Sequence, residues 1–98
     1  MRESVIEKTV CVYARRQGWL VYKFVSPGIR GVPDRLFIKN GVVLFIEFKA
    51  PGRKVNRLQE IQLARLIREN MIVEIVDDID KGKAVIDGYS EKAAKESG

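Results

Sequence analysis

Residues 31–49 read GVPDRLFIKNGVVLFIEFK and contain the clearest structural signal in the chain. At its centre, Asn40-Gly41 is the strongest signal for a two-residue β-hairpin, because a type I′ turn needs positive φ at both central positions. Apolar, β-favouring residues flank this dipeptide, and the run that follows it, Val42–Phe48, is almost unbroken. The stretch therefore predicts an antiparallel hairpin whose second strand is apolar on both faces and central in its sheet.

The two-residue turn also fixes which residues of the hairpin face each other. Lys39 faces Val42, and the same ladder continued away from the turn brings Asp34 opposite Glu47. Directly opposite residues point to the same side of the sheet, with Cβ atoms about 4.5–5.5 Å apart. Lys49 lies two residues beyond Glu47 and therefore shares its face. Two carboxylates that would repel each other, beside an amine, indicate a metal site with a cationic helper.

The composition is that of one globular domain. The 98 residues are 46% hydrophobic and 32% charged, which suits one core but not two. Cys11 is the single cysteine and histidine is lacking, which excludes a disulfide framework and disfavours a zinc site. The apolar runs are too short to span a membrane and the N-terminus lacks a signal-peptide pattern, so we expect a cytoplasmic protein. We expect the domain to cover residues 1–89 and a polar tail to follow over 90–98.

The net charge of +5 is unevenly distributed along the chain. Residues 1–70 carry 14 Lys and Arg against 6 Asp and Glu, whereas residues 71–98 carry 4 against 7. The basic excess thus accompanies the paired carboxylates, as binding to a polyanion would require. A generically basic small protein explains the charge equally well.

Apolar periodicity predicts the elements around the hairpin. We expect a helix over 4–17, a strand over 19–25, a helix over 57–70, a strand over 71–76 and a short helix over 79–89 that Gly82 weakens. The helix between the third and fourth strands makes a crossover, so these two strands should be parallel. The predicted fold class is α/β, a mixed four-stranded sheet flanked by helices in the order αβββαβ.

Two further polar residues each have two interpretations. Glu7 lies near the apolar face of the first helix and would need a partner there, but Ser4 and Glu7 also fit a capping box. Gln59 fits the N3 position of a capping box that starts at Asn56, yet it also lies on the side of its helix that should face the sheet. The local sequence leaves both alternatives open for each residue.

The spacing of these residues resembles that of known nucleases. Pro33-Asp34, followed after twelve residues by Glu47-Phe48-Lys49, resembles the PD-(D/E)XK pattern. Together with GVPDR, IEFKAPG and the pair Leu58-Gln59, it resembles more closely the VRR-NUC family of virus-type replication–repair nucleases, over roughly residues 3–80. The chain is also similar to archaeal Holliday-junction resolvases, whose first helix carries a metal-site Glu eleven residues before a Gly, as Glu7 precedes Gly18.

The resemblance implies a PD-(D/E)XK nuclease-like core and a metal-dependent endonuclease that cuts branched DNA. Four-way junctions are the substrate it favours most, and it implies that the protein acts as a homodimer. It implies that Mg²⁺ or Mn²⁺ is held by Asp34, Glu47, Glu7 and the main-chain carbonyl of Phe48, with Glu3 as the alternative to Glu7. Lys49 and Gln59 complete the catalytic group that the resemblance implies.

The residues expected to contact DNA are mostly basic. Ser26 joins them because the resolvases use a Ser in the loop after the first strand. The expected contacts are Lys23, Ser26, Arg30, Arg35, Arg53, Lys54 and Arg57. Such side chains contact phosphates without reading bases. Two alternatives therefore stay open: a non-catalytic DNA-binding subunit on a nuclease-like fold, and a nuclease that acts on flaps, nicked duplex or RNA.

Overall fold

The computed structural model describes residues 1–96; residues 97 and 98, the end of the expected tail, lie outside the described residues. Along this part of the chain the elements are α1 Glu3–Arg16, β1 Leu20–Lys23, β2 Arg35–Lys39, β3 Val42–Phe48, α2 Arg57–Arg68, β4 Ile72–Val76 and α3 Ile79–Glu96. Their ends lie within two residues of the predicted ends, except in α3. Each helix of residues 1–96 is too short or too polar to cross a membrane.

The strands form one mixed sheet in the order β1-β2-β3-β4. β2 is antiparallel to both β1 and β3, whereas β3 and β4 are parallel and are joined through α2. The predicted α/β class and the order αβββαβ are confirmed, and α3 follows as a further helix. β3 is the most buried strand, as its apolar sequence predicts.

The hairpin turn has the predicted backbone. Asn40 and Gly41 adopt φ angles of 45° and 80°, so both central residues are in the left-handed region. The observed register pairs Lys39 with Val42 and Arg35 with Ile46. The predicted register is therefore confirmed along the whole of β2.

β3 divides the interior into two faces. Leu44, Ile46 and Phe48 are fully buried in one cluster with residues of α1 and α3. The alternate residues point to the side of α2, where the Phe45 ring lies 5.4 Å from that of Phe24 and Glu47 contacts α2. Because strand side chains alternate, one face of β3 builds the core and the other carries the predicted carboxylate.

The expectation of a short third helix followed by a frayed polar tail is wrong for the described residues. α3 continues to Glu96, and Ile86 and Ala93 are both fully buried. These two residues are seven positions apart and therefore lie on one helix face. Trp19 Nε1 donates a hydrogen bond to Ser90 Oγ at 2.8 Å, which holds the second half of the helix to the body. The sequence did not predict the full length of α3, because the helix is held by contacts with residues that are distant in the chain.

Gly82 brings α3 against α1, and its replacement tests this packing. A Cβ at Gly82 would collide with Val10 Cγ2 and lie 3.1 Å from Val76 Cγ1. We expect Gly82→Ala to lower the free energy of unfolding by about 1–3 kcal/mol, because an overfilled core shifts its neighbours. Urea denaturation measures the change.

Gly88→Ala is the matched control in the same helix. A Cβ there meets nothing within 4 Å, so only helix propensity changes and stability should stay equal or rise by up to about 1 kcal/mol. Equal effects of the two substitutions would contradict close packing at Gly82.

Candidate active site

Asp34 and Glu47 lie side by side at the end of the hairpin. The ladder between β2 and β3 ends with the pair Arg35 and Ile46, and Asp34 and Glu47 are the next residues beyond that pair. Their carboxylates are close enough for Asp34 to raise the pKa of Glu47 by repulsion. Asp34 Oδ2 accepts a hydrogen bond from the Phe48 main-chain N–H at 2.8 Å, which fastens Asp34 to the end of β3. Burial raises the pKa of Asp34, and repulsion from Glu7 and Glu3 adds to it, whereas the Phe48 N–H and Lys49 oppose the rise.

Glu47 is a buried carboxylate that is only half satisfied. The residue is 2% exposed, and its Oε2 accepts a hydrogen bond from Gln59 Nε2 at 2.9 Å. Its Oε1 is buried and, among residues 1–96, has no hydrogen-bond partner. Burial, with repulsion from Asp34, raises the pKa of Glu47 to about 7 even though Lys49 opposes the rise. An unpartnered carboxylate oxygen beside a second carboxylate is suited to receive a cation.

Gln59 combines both of its predicted roles. It occupies N3 of α2, where its N–H donates to Asn56 Oδ1 at 2.9 Å and its Oε1 accepts from the Asn56 N–H at 3.0 Å. This capping box orients the amide, because a main-chain N–H can only donate and Oε1 must face it. Nε2 is thereby turned toward Glu47 Oε2. The cap and the site contact are one arrangement, not alternatives.

Lys49 lies beside Glu47 just beyond β3. Its Nζ is 3.5 Å from Glu47 Oε2, and the Lys49 side chain is 15% exposed. The Lys49 N–H donates to the Val76 carbonyl at 2.9 Å, which extends the ladder with β4 by one residue and fixes the side-chain direction. The ammonium is therefore held near the carboxylate pair while part of it stays accessible to solvent.

Glu7 does not join the other two carboxylates. Arg35 Nε donates to Glu7 Oε2 at 2.6 Å. The alternative of a capping box between Ser4 and Glu7 is wrong, because α1 begins at Glu3 and Ser4 lies inside the helix. Within residues 1–96 no group of three or more Asp, Glu, Cys or His is close enough to hold one ion. The physical reason is strand alternation. Arg35 follows Asp34 and points to the opposite face, where α1 packs.

The Arg35 Nε is thus paired with Glu7, and both side chains are partly buried, at 25% and 20% exposure. Glu3, in the first turn of α1, adds repulsion to the carboxyls of both Asp34 and Glu47 and raises their pKa values. Of the two acidic residues considered in α1, only Glu3 influences both members of the pair.

The other residues expected to bind DNA are at or near the surface. Lys23, Arg30, Arg53, Lys54 and Arg57 are exposed, and Ser26 is partly buried. Arg53 and Lys54 lie between the end of β3 and the start of α2, where Gly52 N–H donates to Asp77 Oδ2 at 3.3 Å. Arg57 lies 3.4 Å from Glu60. Ser26 lines a hollow of about 270 Å³ with Phe24, Ile29, Val32, Gln62, Arg65, Leu66 and Glu69.

Gly31 makes a contact with α2 that the sequence did not predict. It adopts a φ of +93°, and its backbone approaches the α2 backbone at Leu58 and Gln59. A glycine two residues before a proline in GVPDR indicates an unusual loop backbone, but it does not indicate which distant helix that backbone contacts. The contact is visible only in the folded chain.

The raised pKa of Glu47 predicts how stability depends on pH. Ionisation of Glu47 is disfavoured in the folded state. Below about pH 4.5 the carboxyl is protonated in both the folded and the unfolded state, so it does not change stability. As the pH rises from there to about 7, the unfolded state ionises more readily and the free energy of unfolding falls. Glu47→Gln cannot ionise. We expect this variant to exceed wild type by about 2–3 kcal/mol at about pH 8 without metal, and to match it at about pH 4. Urea denaturation in EDTA measures both values.

Glu91→Gln is the control, because Glu91 is exposed on α3 and should change stability by less than about 0.5 kcal/mol at either pH. A Glu47→Gln curve that runs parallel to the wild-type curve over the whole pH range would show that burial of Glu47 does not disfavour its charge.

Known proteins resemble this chain in sequence and in fold. No family model matches the chain. It is 46% identical over 81 residues to "Putative nuclease p44" of Acyrthosiphon pisum secondary endosymbiont phage 1, covering 82% of this chain and 87% of that protein. A solved "VRR_NUC domain" matches with a TM-score of 0.82 and 26% identity over 89% of this chain and 96% of that one. A "VRR_NUC domain protein" shares the fold, with a TM-score of 0.77 and 20% identity over 91% and 88%. The chain belongs to the VRR-NUC nuclease family.

Proposed function

We propose that this protein is a metal-dependent endonuclease that hydrolyses DNA phosphodiester bonds at branched structures, with four-way junctions as the first substrate to test. The observation that carries the proposal is the buried, half-satisfied carboxylate of Glu47 between Asp34 and Lys49. Burying one carboxylate opposite another destabilises the fold. A protein that only bound DNA would gain nothing from acidic side chains next to phosphate.

The donor set fits a hard divalent cation. Carboxylate and carbonyl oxygens suit Mg²⁺ or Mn²⁺, and Glu47 Oε1 is a buried oxygen in need of a partner. Asp34, Glu47 and the carbonyl of Phe48 are the groups that would hold the ion. The Phe48 side chain is fully buried on the other face, so its main chain alone is available. A bound ion would supply Lewis-acid polarisation of the phosphate and acidify a water molecule.

The remaining groups act on charge and orientation. Lys49 can donate to the attacking water or to the charge that develops on the phosphate, and its ammonium also favours the ionised form of Glu47. The Gln59 amide donates a hydrogen bond to Glu47 Oε2, so the other carboxylate oxygen, Oε1, is left to bind the cation. These contacts fix the carboxylate before substrate arrives, which lowers the cost of reorganisation.

DNA binding is expected to be electrostatic and independent of sequence. Arg53 and Lys54 are exposed in the loop that joins Lys49 to α2, and Arg57 opens that helix. Contacts of this kind position the duplex without reading bases, so selectivity would come from the shape of the substrate. The phage relative makes the cytoplasm of an infected cell the expected place of action.

A symmetric homodimer would present two sites to the two-fold arrangement of a junction. Apolar residues are exposed in β1 and in the loop that follows it. The exposed fractions are 54% for Leu20, 52% for Tyr22, 66% for Val25 and 48% for Ile29. Several such side chains in one region are typical of a surface that binds another protein.

Cleavage assays test the proposal directly. Wild-type protein should cut a labelled four-way junction symmetrically with Mg²⁺ or Mn²⁺, and EDTA should abolish cutting. We expect Asp34→Asn and Lys49→Ala to lower the cleavage rate at least about 100-fold, because one removes a charged donor and the other the ammonium. Linear duplex, flap, nicked duplex and RNA substrates are compared in parallel.

Asp80→Asn and Lys81→Ala are the matched controls, since both residues are exposed on α3 and should leave the rate within about twofold. Tight junction binding without cleavage under any metal would refute the enzyme and favour a DNA-binding subunit. Cleavage of flaps, nicked duplex or RNA, but not junctions, would keep the chemistry and refute the substrate.

The dimer predicts a light-scattering mass near twice the 11.2 kDa of one chain at micromolar concentration. Leu20→Glu should shift the mass toward one chain, because it puts a charge in the exposed apolar region. Ile67→Glu, at an exposed position of α2, should not shift it. A wild-type mass near one chain would contradict the dimer.

A further inference from the structure

Gly31 makes a backbone contact too close for any other residue. A Cβ at Gly31 would lie 2.5 Å from the Leu58 carbonyl oxygen, 2.6 Å from the Leu58 carbonyl carbon and 2.9 Å from the Gln59 nitrogen. All three atoms belong to the main chain of the first turn of α2. A side-chain rotation therefore cannot relieve the collision, and either the loop or the helix has to move.

This contact joins the two segments that carry the proposed site. On one side, Gly31 is followed by Val32, Pro33 and then Asp34, and the proline ring restricts the backbone between them. On the other side, the same turn of α2 carries Gln59, whose Nε2 lies 2.9 Å from Glu47 Oε2. The closeness of Gly31 to Leu58 thus sets the separation of the loop and the helix.

We propose that Gly31 is a positioning residue that seats the first turn of α2 so that Gln59 holds the carboxylate of Glu47. The activity arm of its test rests on the nuclease function proposed above, whereas the contact itself does not. In this role Gly31 acts through Gln59, since it has no side chain of its own to offer to substrate or metal.

The displacement caused by a methyl group is large enough to matter. Real Cβ atoms essentially never come within 3.0 Å of other heavy atoms, so an alanine would push the Leu58 carbonyl away by about 0.5 Å or more. Hydrogen bonds weaken steeply as distance and angle depart from their optimum. A misplacement of about 1 Å in a catalytic group can reduce a rate about 100-fold.

A glycine with positive φ could be required for its backbone alone, and Gly28 separates the two explanations. It lies in the same loop with a φ of +81°, and a Cβ there would meet nothing within 4 Å. Gly28→Ala therefore imposes the same kind of backbone strain without the collision. Any effect found in Gly31→Ala but not in Gly28→Ala reports the contact with α2.

The first readout is single-turnover cleavage at saturating junction DNA. We expect Gly31→Ala to slow cleavage about 10- to 100-fold and Gly28→Ala to stay within about twofold. In a Gln59→Ala background, Gly31→Ala should add less than about a twofold loss, because the amide through which it acts is gone. Independent, multiplicative losses in the double variant would overturn the proposal.

The second readout does not need activity. The side-chain amide signals of Gln59 in an ¹⁵N–¹H spectrum, assigned by their loss in Gln59→Ala, should move toward those of a free glutamine in Gly31→Ala and stay in place in Gly28→Ala. Unchanged Gln59 signals in Gly31→Ala would overturn the proposal. If wild type cleaves nothing with any metal, the nuclease proposal fails and this spectrum alone decides the role of Gly31.

If Gly31→Ala alone does not fold, the same spectra are compared in the Glu47→Gln background. That background is expected to be more stable above about pH 7, and the carbonyl of the new glutamine can still accept from Gln59. A Gln59 signal that moves on adding Gly31→Ala there supports the proposal, and one that does not move refutes it.

Discussion

The two-residue turn at Asn40-Gly41 sets the register of the central hairpin, and the geometry of the site depends on that register. Positive φ at both residues is the backbone of a two-residue type I′ turn, and with a turn of that length Arg35 faces Ile46. Since side chains alternate along a strand, a slip of one residue would turn Glu47 into the core formed with α1 and α3. The buried apolar face of β3 excludes such a slip, because burying the charge there would be costly.

The buried carboxylate of the site lowers the stability of the fold. Glu47 is almost completely buried, is opposed by Asp34, and keeps one oxygen without a partner within residues 1–96. Its raised pKa has the same cause, since the folded protein disfavours the charge that the proposed metal site would require. Local conflict inside an otherwise consistent structure is typical of functional sites, where a ligand rather than the protein resolves it.

Contacts with the main chain, more than side-chain packing, fix the positions of the residues in this site. The Phe48 N–H fixes Asp34, the Val76 carbonyl fixes the backbone of Lys49, and the capping box at Asn56 fixes the amide of Gln59. Gly31 brings the loop before Asp34 onto the helix that carries Gln59. Because the first three contacts belong to strands and a helix or to their ends, the charged groups are positioned mainly by the regular elements of the fold.

The sequence by itself determined the turn, the register, the parallel crossover and the pairing of Asp34 with Glu47, because local backbone preference and strand alternation act between neighbours. It also supplied both roles of Gln59, although not that they coexist. Tertiary structure decided the rest. Arg35 alternates to the face of α1 and pairs with Glu7, a contact that the sequence did not predict for either residue. Burial of Ile86 and Ala93 accompanies the extension of α3 to Glu96, and Gly31 contacts a helix residue 27 positions further along the chain. These contacts join residues whose separation in sequence carries no signal, so only the packed fold reveals them.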